Sequence, residues 1–564
     1  MAFRFRRKIA RSPQHIVPQL LRSQMKKKQP ATIILSEPEE PIRAEVFSLE
    51  RLEQHAESLA AAQIVTSEAS RGRPLLPRVL ENGRVLLDSY RAIGHAIQEK
   101  HAITPAAEWL VDNFHIVDEQ LREIQDDLPV GYYRKLPKLA SGHLEGYPRV
   151  YGVAWAFVAH TDSRFDPETL RRFVAAYQRV QPLTIGELWA VAITLRVVLV
   201  ENLRRMAERI VRSRAARQEA DTLADSLLGS GQQSAMLPAL QRFEKAPLDR
   251  AFAVQLVQRL RDLDPKVRPV LLWLDQRLAA AGTSADEIVR AEHQQHGAMS
   301  VSVRNIITSM RSISAFDWQE FFESVSLVDE ILRNDTHFAE IDFATRDDYR
   351  HVIEDLSRGS SHSEMEVAKR LVRHVQQALP DPREASRNGS KANQDRRTEP
   401  GYYLISRGRP AFERELGFQV SCKRWLLRRY LQAAVPGYLG TIAIVTAMIL
   451  AVPLLHAHGA GMTVKGLLVL GLLAAVPASD LAIALINRAV VALLGPRRMP
   501  RMELRNGIPE DLRTIVVMPT LLTTAEEVTA HVGRLEVHYL ANSDGDLRFA
   551  LLSDWLDAPC ETLP

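Results

Sequence analysis

The sequence predicts a mainly α protein: a large helical region, then a two-helix transmembrane hairpin, then the first strand–helix–strand unit of an α/β domain. Three observations carry that expectation. Apolar residues recur at three- and four-residue spacing through most of residues 45–379, the period of an amphipathic helix. Two apolar runs, residues 435–455 and 466–486, hold a single charged residue, Asp480. Beyond residue 513 the period changes, and a β-branched run, a helical stretch and a second apolar run follow one another.

The totals set the limits. A chain of 564 residues is too long for one core and implies about three or four domains. It is 46% apolar and 25% charged but only 6% aromatic, a composition that folds and that favours helix over sheet. A formal charge of +4 over this length argues against nucleic acid as a partner. Cys422 and Cys560 are the only cysteines, too few for a disulfide framework or a cysteine zinc site, and they suit a reducing compartment.

Residues 1–44 read as a basic, solvated arm. Arg4, Arg6, Arg7, Lys8, Arg11, Lys26, Lys27 and Lys28 supply its charge, and Pro13, Gln14 and His15 interrupt any signal-peptide core. Such an arm stays in the cytoplasm and can dock on anionic lipid. Residues 45–379 read as a helical cytoplasmic region of two packed units. Leu49, Leu52, His55, Ala56 and Leu59 open its pattern, and Thr283-Ser284 before Asp286 and Glu287 marks a helix start. Later helices are expected at 285–296, 301–313, 318–333, 346–356 and 363–379. Residues 380–400, with Pro, Asn, Ser and charges throughout, read as a linker, and residues 401–434 as a juxtamembrane segment.

Each apolar run is long enough to cross a hydrocarbon core of about 30 Å. Lys423, Arg424, Arg428 and Arg429 precede the first, and Arg488, Arg497, Arg498 and Arg501 follow the second, whereas the loop between has only Lys465. The positive-inside bias therefore predicts a multi-pass inner-membrane protein with both termini cytoplasmic. Asp480 is costly against lipid and should face protein or a polar path. A connector, residues 487–512, leads to the last segment, 513–564.

There Thr514-Ile-Val-Val-Met518 reads as a buried strand ended by Pro519. Thr524-Ala-Glu-Glu527 opens a helix, and residues 547–552 form a second strand ending at Asp554. In open α/β sheets ligands lie beyond the carboxyl ends of strands. Pro519, Thr520 and Asp554 are thus the candidate nucleotide-sugar-binding residues, the carboxylate accepting hydrogen bonds from a uracil or ribose. Other motifs are decoys. Asp544-Gly-Asp546 sits in a turn, Gln419 and Arg424-Trp425 have the wrong spacing for an acceptor motif, and His293 with His296 lacks a third metal ligand. No metal site is expected in this chain.

Longer strings identify a family. Ile515-Val-Val-Met-Pro-Thr-Leu-Leu-Thr523, Arg534-Leu-Glu-Val-His-Tyr-Leu-Ala-Asn542 and Phe549-Ala-Leu-Leu-Ser-Asp-Trp555 closely resemble the start of the glycosyltransferase domain of cyclic β-1,2-glucan synthases. Upstream, Asn305-Ile-Ile-Thr-Ser-Met310, Phe321-Phe-Glu-Ser-Val-Ser-Leu-Val-Asp329, Asp342-Phe-Ala-Thr-Arg-Asp-Asp-Tyr-Arg350 with Arg358-Gly-Ser360, and Gly401-Tyr-Tyr-Leu-Ile405 are similar to stretches before the membrane helices. The resemblance implies a GT-A domain that transfers glucose from UDP-glucose to a protein-linked β-1,2-glucan, later cyclised, with a divalent metal, Mg or Mn, in the complete enzyme. It implies as partners inner-membrane lipid, UDP-glucose and the remainder of the synthase. The Asp-x-Asp, the catalytic residues and the Gln-x-x-Arg-Trp motif are expected beyond Pro564, so the chain alone is expected to be inactive. The alternative is a non-catalytic membrane scaffold that docks separately encoded glycosyltransferase parts.

Overall fold

Ser48 accepts the Arg51 N–H and opens the helix Leu49–Ala62, which buries Leu52, Ala56 and Ala60 on one face. The same logic, a polar cap followed by an apolar stripe, builds most of the chain. The computed structural model describes residues 39–66, 72–128, 130–229, 240, 248–260, 268–378, 396–495, 499–504, 507–542, 545–555 and 557. The basic arm before Glu39, most of the 380–400 linker and Asp544 lie outside them.

The protein is mainly α and divides into two compact units. One runs up to Phe173 and resumes over Val191–Phe316; the other comprises Val174–Ala190 and Asp317–Pro564. In the first, the helices Leu75–Gln98, Pro105–Asp112, Phe114–Asp127 and Arg149–His160 precede the greater part of Ile185–Gly229. A core of Leu223, Leu227, Phe252, Leu256, Leu260 and Leu274 follows in its later helices. Val65–Thr66 pairs antiparallel with Lys138–Leu139, a bridge too short to show alternation in the sequence. The two helices expected at 285–296 and 301–313 are one, Ala285–Ala315, opened by a capping box between Ser284 and Glu287. Gly297 costs about 1 kcal/mol against alanine in a helix. Burial of Val303, Ile306, Ile307, Met310 and Ile313 outweighs it.

In the second unit the single helix expected at 318–333 is two, Trp318–Val325 and Leu327–Asp335. Ser326 ends the first and caps the next through the Asp329 N–H. Phe343–Arg358 and Glu364–Gln377 follow, then the short helices Pro400–Ile405 and Arg409–Glu415. Cys422–Gln432 leads, one residue later, into Ala434–Gly459, and Val464–Leu494 returns. Both long helices outrun the apolar runs 435–455 and 466–486, because the flanking residues keep the helical period and need no turn until 460–463. They are long and apolar enough to cross a membrane. Ala478 and Ala482 are buried, small side chains of the kind that let two helices approach closely. Asp480 lies about 200° around the helix from either alanine and is exposed, so the other arm of the hairpin does not cover it.

The chain then comes back to the helical part of its unit. The Asp342 N–H donates to the Arg501 carbonyl (2.8 Å) and the Glu503 N–H to the Glu340 carbonyl (2.7 Å). Last comes a parallel strand–helix–strand unit: Thr514–Leu522 pairs with Leu547–Trp555 around the helix Ala525–Ala541. Pro519 does not end the first strand, as the sequence suggested. It sits inside it, opposite Leu552. Among the described residues the strand has a neighbour on one side only, so the missing N–H of proline costs no ladder bond on the open edge.

Candidate functional site at the strand ends

The parallel pair is locked at its amino end. Arg513 donates to Asp546 at 2.5 Å, the Thr514 N–H to the Asp546 carbonyl at 3.2 Å, and the Asp546 N–H to the Ile508 carbonyl at 2.9 Å. The hydrogen bond from Arg513 holds the Asp546 carboxyl below the usual carboxylate range. The second member of the Asp544-Gly-Asp546 motif is therefore a strand clamp.

The opposite end holds the candidate residues. Register pairs Pro519 with Leu552, Thr520 with Ser553 and Leu521 with Asp554. Successive side chains of a strand alternate between faces, so Thr520 and Ser553 share one face while Pro519, Leu552 and Asp554 share the other. The helix Ala525–Ala541 covers the first face, where Tyr539 packs edge-on against Phe549 at 6.0 Å. Here the Thr520 hydroxyl is buried without a hydrogen-bond partner, as is Nδ1 of His531 on the covering helix. The second face is open: Ile515 is 60% and Leu552 63% exposed, and Asp554 stands at its end, exposed. The three candidates thus lie at one end of the sheet but do not converge on one face. Asp554 can accept hydrogen bonds from sugar hydroxyls or a base N–H. Thr520 can bond only a group that reaches beneath the helix. Among the described residues no three carboxylate, histidine or cysteine groups could hold a metal ion.

Other polar clusters hold the fold together. Arg350 has no exposed surface. It reaches Asp329 at 2.5 Å and Glu323 at 2.8 Å, and its guanidinium lies 4.8 Å from the Phe322 ring and 5.0 Å from Phe343. Burial works against its charge, but the two carboxylates keep it protonated. Arg346 adds an ion pair to Glu323 (2.8 Å) and one to Glu503 (3.1 Å). In the first unit Glu201 is buried among Arg78, Arg204, Arg205 and Asn82. His296 meets Glu292 at 3.0 Å and Arg217, and burial followed by Arg217 lowers its pKa. His296, one of the two histidines, is thereby engaged in ion pairing. Near the start of Glu364–Gln377, burial pushes Glu364 up to about 7 even though it accepts the Ile185 N–H at 2.7 Å, with Glu354 and Glu187 adding to the shift.

Comparison with curated proteins finds 36% identity over 537 residues with the cyclic beta-(1,2)-glucan synthase NdvB of Rhizobium meliloti (strain 1021). The chain is a relative of the cyclic β-1,2-glucan synthases. The match takes in 93% of this chain but only 18% of NdvB. No protein-family profile matches the chain. The synthase-like strings in the helical region fall on the packing just described. Phe321–Asp329 supplies Phe322, Glu323 and Asp329, while Asp342–Arg350 supplies Phe343, Arg346 and Arg350, so the two strings meet in one buried ion cluster. In Asn305–Met310, Asn305 donates to the Asp162 carbonyl at 3.1 Å and Ser309 to the Ser163 carbonyl at 2.8 Å. Gly401 sits where a Cβ would lie 2.2 Å from the Tyr349 hydroxyl. Spacing alone did not reveal this cluster; its signal was acids and arginines interleaved with phenylalanines in both strings.

Proposed function

We propose that the chain is a membrane-embedded part of a β-1,2-glucan-forming glycosyltransferase. The helical units lie on the cytoplasmic side, the hairpin crosses the inner membrane, and the parallel strand–helix–strand opens a UDP-glucose-binding GT-A domain. The observation that carries this reading is the match to NdvB along 93% of the chain. The parallel order of the last two strands supports it, since ligands of such sheets sit at the strand carboxyl ends where Thr520 and Asp554 lie. The chemistry is attack of an acceptor hydroxyl on glucose C1 of UDP-glucose. A divalent metal would neutralise the leaving diphosphate and a carboxylate would take the proton. None of the described residues is assigned the last two roles. In this reading Asp554 and Thr520 bind the nucleotide sugar and do no bond-making.

A chimaera tests it. The stretch of NdvB that matches this chain is replaced by the chain, and membranes carrying the chimaera are given radiolabelled UDP-glucose. Labelled β-1,2-glucan is the expected product. A chimaera that reaches the membrane in normal amount yet makes no glucan would overturn the reading. The chain by itself is expected to transfer no glucose above a heat-killed control.

The open sheet face favours a second reading, a scaffold that receives separately encoded glycosyltransferase parts. Apolar strand faces left to water invite a partner. Glucan synthesis by the chain together with a separately expressed remainder of NdvB, but not by either piece alone, would favour it.

A further inference from the structure

The helix Cys422–Gln432 carries two unlike faces. Arg424 and Arg428, four residues apart, point to the helical part of the same unit. Arg424 makes a bidentate pair with Asp355 (2.5 and 2.7 Å) and Arg428 one with Glu413 (2.6 and 2.7 Å). Leu426 and Tyr430 fall on the opposite side at helical spacing, with Trp425 and Arg429 between the two faces. Trp425 is 54% and Leu426 65% exposed, and the Arg429 guanidinium stacks 5.6 Å over the Trp425 ring. Tyr430 fixes the level of the helix: its hydroxyl lies 3.0 Å from Oγ1 of Thr441, and its ring packs where a Cβ on Gly437 would come within 2.9 Å. Gly437 and Thr441 belong to the first two turns of the apolar helix Ala434–Gly459. The exposed tryptophan and leucine therefore stand beside the entry of a membrane span, with a cation above them.

We infer that the helix Cys422–Gln432 lies in the headgroup layer of the membrane, with Trp425 and Leu426 at the acyl boundary and Arg429 on the phosphate of an anionic phospholipid. This rests on the membrane reading of the hairpin above. Trp and Leu beside a basic group are what an interfacial helix presents to lipid, and an arginine whose fellows are already bound to Asp355 and Glu413 is left for the headgroup.

The test uses the full chain in nanodiscs of phosphatidylcholine with phosphatidylglycerol. In a Cys422→Ser, Cys560→Ser background, nitroxide labels are placed at Leu426→Cys and, as a reference in the apolar helix, at Ile444→Cys. Depth is read from accessibility to oxygen and to a water-soluble nickel complex. The label at 444 is expected deep in hydrocarbon and that at 426 at the headgroup boundary. A water-exposed label at 426 with 444 still deep overturns this inference and leaves the membrane reading standing; water at both positions overturns the two together. Spin-labelled lipids then measure the preference for phosphatidylglycerol over phosphatidylcholine. Arg429→Gln is expected to cut it about fivefold, the worth of one basic group at an anionic surface, while Arg429→Lys retains it. An unchanged preference in Arg429→Gln removes the assignment of the phosphate to Arg429.

Discussion

At Arg350 a charge has been taken wholly out of water, and it is tolerated because Asp329 and Glu323 go with it. Truncating one member leaves the others buried without compensation. Arg350→Ala is expected to destabilise the second unit by about 3–5 kcal/mol, measured by chemical denaturation in detergent. Glu364 gives the reverse effect of charge. Its pKa is raised from about 4.5 to about 7 in the fold, so between those values the folded protein holds a proton that the unfolded chain has lost. Stability from this group is full below pH 4.5 and falls as pH rises towards 7. Glu364→Gln keeps an oxygen for the Ile185 N–H. The variant is expected to melt higher than the parent at pH 8, equally at pH 4, and with a flatter profile between. The sequence alone singled out neither role; the tertiary packing of Phe322, Phe338 and Phe343 around Arg350 and the burial of Glu364 supply it.

Among the elements, helix type and order were legible because amphipathic period survives without knowledge of packing, and the helix start read from Thr283-Ser284 before Asp286 and Glu287 is a capping box between Ser284 and Glu287 in the structure. Boundaries were less so. Ser326 breaks one expected helix in two by capping, Gly297 fails to break another, and Pro519 fails to stop a strand that, among the described residues, has a neighbour on one side only. Each outcome depends on neighbours that no local window contains. The candidate site suffered likewise: its place at the strand ends was legible, but the division of Thr520 and Asp554 between opposite faces follows from a strand four residues longer than Pro519 suggested. One element contact can be tested by size alone. Gly401→Ala would push a methyl into the Tyr349 hydroxyl, and overpacking of this kind costs about 1–3 kcal/mol. Combining it with Tyr349→Phe is expected to recover part of the lost melting temperature; no recovery would place the strain elsewhere.

For the whole molecule, the arginine asymmetry predicts that a reporter fused after Gly459 is active only on the periplasmic side and one fused after Leu512 only in the cytoplasm. A cytoplasmic signal from the first fusion would reverse the orientation. The strand–helix–strand unit is expected to open more readily than the helices Phe343–Arg358 and Glu364–Gln377, which bury residues on one face. Its helix Ala525–Ala541 buries no residue completely, against roughly 1–2 kcal/mol of backbone entropy for each residue ordered. Limited proteolysis of the solubilised chain is expected to cut within 507–555 while Phe343–Gln377 persists, and equal resistance would mean that something already covers the open sheet face.

The two feet of the hairpin land on a single rod. Before the hairpin, Arg424 grips Asp355 near the carboxyl end of Phe343–Arg358. After it, the Arg501 N–H donates to Thr345 and Glu503 pairs with Arg346, both in the first turn of the same helix. Ten residues of helix, about 15 Å, separate the two grips. Both ends of the hairpin are thus tied to one helix of the unit. That rod also carries Arg350, seated between Asp329 and Glu323, so the same helix that receives both feet of the hairpin holds one of the fully buried charges of the unit.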